Sequence, residues 1–245
     1  MLFSEVIKLS DLMFVANGTA RKVFPLPGHP ELLVKIISPQ KPPNSNPNPG
    51  LNRRVKKVIK RGIRKFIYSF HPSFKHRYTI REISCELRAT LNLGPSIAQS
   101  PLARSLGVVQ TDLGPGVVVE RISGKDGELA VTLRDIIQAG GLTQEIIDDL
   151  NILVRKLYDL QVVAHDIHAG NIVYGYRDGK NVFFLVDGYG EYNFIPVRSL
   201  FRKSNDYGLD KCFVIAAGKG GLTWDQKKRE FKYDGQSTRY FDNPN

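Results

Sequence analysis

Apolar positions along the chain follow two periods. Between residues 13 and 37 they come in short runs, at 13–16, 21–26 and 32–37, broken by Asn17-Gly18 and Pro27-Gly28. Short runs between turn residues predict strands, so this part reads as β-rich. From 51 to 67, Leu51, Val55, Val58, Ile59, Ile63 and Ile67 step by 4, 3, 1, 4 and 4 residues among basic ones. That is an amphipathic helix pattern, weakened by Gly62. A second helix is expected over 79–93, stopping at Gly94-Pro95. Short strands follow near 107–111 and 117–121.

Thr132 and Asp135 have the spacing of a capping box that opens a short helix. Thr143 is the expected cap of the most strongly patterned helix, whose apolar face runs from Ile146 to Leu160 through Ile147, Leu150, Leu153, Val154 and Leu157. That helix leads into VVAHDIHAGNIVYG, a hairpin turn at Asp178-Gly179-Lys180, and the strand-like NVFFLVDGYGE. The order of a β-rich part, a helix, two strands and a helical part predicts an α+β fold with two lobes.

With 245 residues, 42% of them hydrophobic, the chain can build one large core or two smaller ones. No apolar run reaches the ~18 residues of a membrane-spanning helix. Glu5, Lys8 and Asp11 interrupt the apolar start, which does not read as a signal peptide. A cytoplasmic location is expected, with peripheral membrane attachment left open. Two cysteines, Cys85 and Cys212, exclude a disulfide scaffold and a cysteine metal site.

Charge changes the picture. Of the 35 basic residues, 13 lie between Leu32 and Arg81, a stretch without Asp or Glu; the other 22 face all 24 acidic residues. The net +11 is therefore a local feature. Within that stretch the Pro- and Asn-rich run 41–50 predicts a loop or linker. Three roles fit the basic segment 53–77: a solvated helical face, a helix lying on an anionic membrane, or an arm on nucleic-acid phosphates. Its Ile, Val and Phe content favours lipid or self-packing over a purely electrostatic arm.

The chemistry-bearing residues cluster after the capped helix. Asp166-Ile-His-Ala-Gly-Asn171 lies on a tight connection between that helix and a strand. Twenty-one residues after Asp166, an apolar strand ends in Asp187-Gly188. A carboxylate at the end of a buried strand, with an amide oxygen from Asn171, suits Mg²⁺, which takes few protein oxygens and completes its shell with water and phosphate. Asp166 remains to orient or deprotonate a hydroxyl. His165 and His168 either orient the loop backbone or move protons. Trp224, Tyr207 and the aromatics from Phe231 to Phe241 read as core or tail-docking residues.

This pattern resembles the protein-kinase-like superfamily, in which an Asp five residues before an Asn precedes a hairpin and a metal-binding Asp. AHDIHAGN is similar to the small-molecule and lipopolysaccharide kinase branch. The resemblance places a phosphate-covering turn at Gly18 and Thr19, a phosphate-binding lysine at Lys35, and its carboxylate partner at Glu86, with Glu82 as the rival. The lobe-connecting, adenine-facing hinge falls at 116–119 and Glu120. Read alone, Lys35 is a strand lysine with its stem packed and its head in water.

More narrowly, Cys85-Glu86-Leu-Arg, VQTDLGPGVVVE (109–120), Asp126-Gly, Val131-Thr-Leu133 and VDGYGE (186–191) with Ile195-Pro196 resemble the YrbL (PhoP regulatory network protein) family of that superfamily. The resemblance implies a β-rich N-lobe over 1–122, carrying an insertion at 39–78, and a reduced helical C-lobe over 123–245. It implies ATP and Mg²⁺ as cofactors and phosphoryl transfer to a hydroxyl acceptor, a small molecule, sugar or lipid. Two alternatives remain: a nucleotide-binding pseudokinase acting as a regulatory module, and transfer of the nucleotidyl (AMP) group. The turn has one glycine, His165 replaces the usual arginine, and Gly188-Tyr189 replaces Phe-Gly. The acceptor and the oligomeric state are not specified by the sequence.

Overall fold

A computed structural model describes residues 5–17, 21–37, 76–191, 196–220 and 222–233. Gly18, Thr19, the run at 41–50 and the basic helix expected at 51–67 lie outside the described residues. Two compact units form, one from 1–80 with 106–119 and the other from 81–105 with 120–245.

The first unit is built on a five-stranded sheet in the order β1-β2-β3-β5-β4, with β1 Ala16–Asn17, β2 Arg21–Leu26, β3 His29–Ile37, β4 Ser105–Thr111 and β5 Gly114–Glu120. β2 and β3 form an antiparallel hairpin in which Val23 faces Lys35. Strand alternation puts Val34 and Ile36 on one face of β3, where they join Leu9, Phe24, Leu26, Val109 and Val118 in a core. β5 passes this face so closely that a Cβ on Gly116 would stand 2.5 Å from Val34 Cγ1 and 2.6 Å from Ile36 Cδ1.

The strand expected at 13–16 shrinks to Ala16–Asn17, and Met13, Phe14 and Val15 are exposed. The segment before it is held instead, through Leu9, which is fully buried. Ile7 bridges Thr111 in parallel, and the Asp112 carboxylate accepts from the N–H of Leu9 at 2.8 Å and of Ser10 at 3.1 Å. Hydrogen bonding by the Ser10 side chain foremost, then by the Leu9 N–H, holds the Asp112 carboxyl below its ordinary pKa.

In the second unit, α1 (Arg77–Leu93) runs into a 3-10 turn (Gly94–Gln99); α2 is Leu133–Gln138, α3 Gln144–Asp159, α4 Val197–Leu200 and α5 Arg202–Gly220. Both expected caps are present: Thr132 and Asp135 close a capping box, and Thr143 Oγ accepts from Ile146 N–H at 3.3 Å. The inner face of α3, including Leu150, Leu153, Val154 and Leu157, packs with Ile172, Phe183, Leu185, Leu209 and Phe213. A small sheet orders β6 (Val131–Thr132), β7 (Ile172–Arg177) and β8 (Lys180–Leu185). Its hairpin turns on Asp178 and Gly179 at φ 52 and 80, as a two-residue turn requires.

A final hairpin, β9 (Thr223–Asp225) and β10 (Glu230–Lys232), docks on α3. Trp224 lies 4.8 Å from Phe213 and 5.0 Å from Phe231, ring centre to ring centre, as expected of core aromatics. Tyr207 does not join them; it is exposed, with Lys211 Nζ 4.4 Å from its ring centre. No helix among the described residues is long and apolar enough to cross a membrane.

Candidate active site

Beyond α3, Gln161 turns the chain at φ 52, and Val162, Val163 and Ala164 are buried. This segment is laced to residues 188–190. Gly190 N–H donates to Val163 O at 2.7 Å, Ala164 bridges Tyr189, and the N–H groups of His165 and Asp166 both donate to Gly188 O, at 3.0 and 3.2 Å. Asn171 closes the other side. Its Nδ2 donates to Asp166 O at 2.9 Å, while its backbone carbonyl accepts from Val186 N–H at 2.9 Å. Gly188 N–H donates to Asp187 Oδ1 at 2.7 Å, fixing that carboxylate. Asp166, Asn171 and Asp187 are thus brought together on one hydrogen-bonded loop cluster.

The Asp166 side chain is 65% exposed, so a solute can reach it, and His168 Nε2 lies 3.9 Å from its Oδ2. Gly170 N–H donates to His168 Nδ1 at 3.1 Å, which leaves the ring proton on Nε2, facing the carboxylate. Burial lowers the pKa of His165, against the pull of Asp166, so this ring is neutral near pH 7.

Gly188 and Gly190 flank a plug. Tyr189 is buried in the core of the second unit, its OH donating to Ala103 O at 3.4 Å. Burial first, then the carboxylates of Glu82 and Glu86, push its pKa well up. Gly190, at φ 114, lets this segment touch α1: a Cβ there would lie 3.1 Å from Glu82 N. On α1, Glu86 and Glu82 are both buried, and Glu86 Oε2 accepts from Ser105 N–H at 3.0 Å. In the first unit Lys35 is only 8% exposed, on the β3 face opposite Val34 and Ile36. It is therefore not a strand lysine with its head in water.

Residues 7–217 match the family described as PhoP regulatory network protein YrbL. The chain belongs to this family. Its fold is α+β, with an antiparallel N-terminal sheet in one unit and a largely helical second unit. Among solved structures it is similar to the PknI kinase domain of Mycobacterium tuberculosis, at 12% identity over 84% of this chain and 70% of that one, with a TM-score of 0.45. A double mutant of the same domain gives 12% identity, 88% and 74% coverage and a TM-score of 0.46. The apo form of PpkA-294 gives 15%, 71% and 56%, with a TM-score of 0.38. Comparison with curated proteins gives no match.

In this YrbL-family chain the Glu120 side chain is engaged by two arginines. Oε2 accepts from Arg104 Nε at 3.2 Å, and Oε1 from Arg177 Nη2 at 2.6 Å. Arg177 also donates to Ala98 O and Ser100 O, and its guanidinium carbon lies 4.3 Å from the Phe184 ring centre. Sequence reasoning missed this network, because three residues spread from 104 to 177 carry no local signal. It also missed the plug, although two glycines around one tyrosine were a legible hint of close backbone approach.

The donors at the loop cluster fit a magnesium ion. Among the described residues no three His, Cys, Asp or Glu side chains converge on a metal position. One carboxylate and one amide oxygen are what Mg²⁺ takes where phosphate and water supply the rest. Asn171 Nδ2 is committed to Asp166 O, so its oxygen is the atom turned to other partners.

Proposed function

We propose that this YrbL-family protein is an ATP- and Mg²⁺-dependent phosphotransferase acting on a hydroxyl of a small molecule, sugar or lipid. One observation carries the reading: Asp166, Asn171 and Asp187 are locked around Gly188 with the Asp166 carboxylate exposed. Asn171 and Asp187 would hold Mg²⁺, whose charge neutralises phosphate oxygens. Lys35 would bind the α- and β-phosphates, positioned by Glu86, with Gly18, Thr19 and Glu120 around the nucleotide. Asp166 orients the acceptor O–H and takes its proton as the oxygen bonds to the γ-phosphorus, and ADP departs. Positioning and charge stabilisation do most of the work in such transfers.

Calorimetric titration of ATP with and without Mg²⁺, on the wild type and Asp187→Ala, tests the site. Magnesium-dependent binding that the variant loses is expected. No binding in either condition would sink the reading in favour of a regulatory module. Mass spectrometry of the acceptor then separates phosphoryl from adenylyl transfer.

A further inference from the structure

A cavity lies away from the loop cluster, in the same unit, between the 3-10 turn, α3 and the β7–β8 hairpin. Its volume is about 340 Å³, within the range of small-molecule sites. Ile152, Leu153, Val182 and Phe183 give it an apolar wall. Two cations hook onto the same turn beside that wall: Lys156 Nζ donates to Gln99 O at 3.1 Å, and Arg177 Nη1 donates to Ala98 O at 3.2 Å and Ser100 O at 2.8 Å.

These cations are not equally answered. Arg177 has the Glu120 carboxylate at 2.6 Å. Lys156 has no carboxylate within ion-pair distance among the described residues. Asp149 also lines the cavity, but its Oδ2 accepts from Tyr174 OH at 2.5 Å; Asp178 sits on the hairpin turn. Lys156 is half-buried, and burial together with the Arg177 charge lowers its pKa. An ammonium bonded to one backbone carbonyl, with a like charge beside it and an apolar wall next to it, matches an organic anion.

We infer that this cavity binds a small organic anion, its phosphate or carboxylate on Lys156 and its apolar body against Ile152 and Val182. A charge-assisted hydrogen bond would anchor the anion, and the wall would select against inorganic ions. The site does not depend on the loop cluster's chemistry. β8 nevertheless runs from the cavity wall to within two residues of Asp187, so an occupant would brace the strand that carries it.

Calorimetry with phenyl phosphate, benzoate, inorganic phosphate and phenol on the full chain tests this. Phenyl phosphate or benzoate should bind saturably, and which of the two binds more tightly identifies the anion. Lys156→Met should weaken that binding about tenfold or more, the loss of one charged hydrogen bond. Lys156→Arg should restore most of it. Ile152→Ser, at an exposed position on α3, should weaken the aromatic anions and leave inorganic phosphate unchanged. Absence of saturable binding by either aromatic anion would overturn the inference. So would equal binding of inorganic and phenyl phosphate, or unchanged affinity in Ile152→Ser and in a Lys156→Met protein with wild-type unfolding midpoint.

Discussion

The carbonyl of Gly188 accepts the Asp166 N–H at 3.2 Å, and a Cβ on Gly188 would overlap the Asp166 carbonyl oxygen. The two loops that carry the carboxylates are thus in backbone contact, and only glycine fits between them. Gly188 also sits at φ 85, where a side chain is strained in itself. Gly188→Ala should cost on the order of 2 kcal/mol or more, since the clash is with backbone that cannot turn aside. Urea unfolding reads the stability and ATP titration reads the site; a variant that is wild type in both would refute the loop geometry.

A substitution at Asp166 tests binding apart from chemistry. Its side chain faces outward and its backbone makes the structural contacts, so Asp166→Asn should fold and bind nucleotide as the wild type does. Turnover on an accepted hydroxyl should fall by roughly 10² or more if the carboxylate takes the proton. Loss of nucleotide affinity instead would assign Asp166 to binding.

Glu120 predicts a pH dependence. Burial raises its pKa, but Arg104 and Arg177 outweigh burial and hold the carboxyl below its ordinary 4.5. A depressed folded-state pKa means stability that is fully present above the unfolded value and is lost as pH falls through the folded one. Wild type should therefore lose its margin over Glu120→Gln on acidification below about pH 4.5. Arg177→Ala, which leaves Glu120 without its closest partner, should cost about 3 kcal/mol near neutrality. Urea midpoints of the three proteins between neutral and acid pH check both; a margin that stays constant on acidification would reject the ion-pair origin.

Legibility in the sequence followed the range of the interactions. Thr132, Thr143 and the Asp178-Gly179 turn act within a few residues, and the predicted caps and hairpin are present in the structure. Asp166, Asn171 and Asp187 could be read because their spacing spans one helix exit and one hairpin. A helical part is expected after the two strands and α5 is there, but local pattern does not mark its bounds or its buried face, where Leu209, Cys212 and Phe213 are buried while Val214 and Ile215 are exposed. Apolar residues on both sides of a helix blur its amphipathic period. The N-terminal strand was misplaced for a related reason: the apolar run Met13-Phe14-Val15 looks like a strand, yet the hydrogen bonds of Asp112 select Leu9 for burial.

Asn151 offers a local test of how the last hairpin is held. It is buried on α3, where its Oδ1 accepts from Phe231 N–H at 2.8 Å and its Nδ2 donates to Phe231 O at 3.1 Å. The amide thus pairs with β10 as a neighbouring strand would, satisfying a backbone donor and acceptor that burial would otherwise orphan. Asn151→Leu keeps the volume and removes both bonds, so it should cost about 2 kcal/mol. Because Trp224 is the only tryptophan in the chain and packs 5.0 Å from the Phe231 ring centre, its fluorescence reports the hairpin directly. If the hairpin is held mainly by the amide, the variant's emission should shift to the red at urea concentrations where far-ultraviolet circular dichroism still shows the helices. Coincident transitions would instead show that the Phe213, Trp224 and Phe231 packing alone keeps the hairpin within the cooperative unit of the helical core.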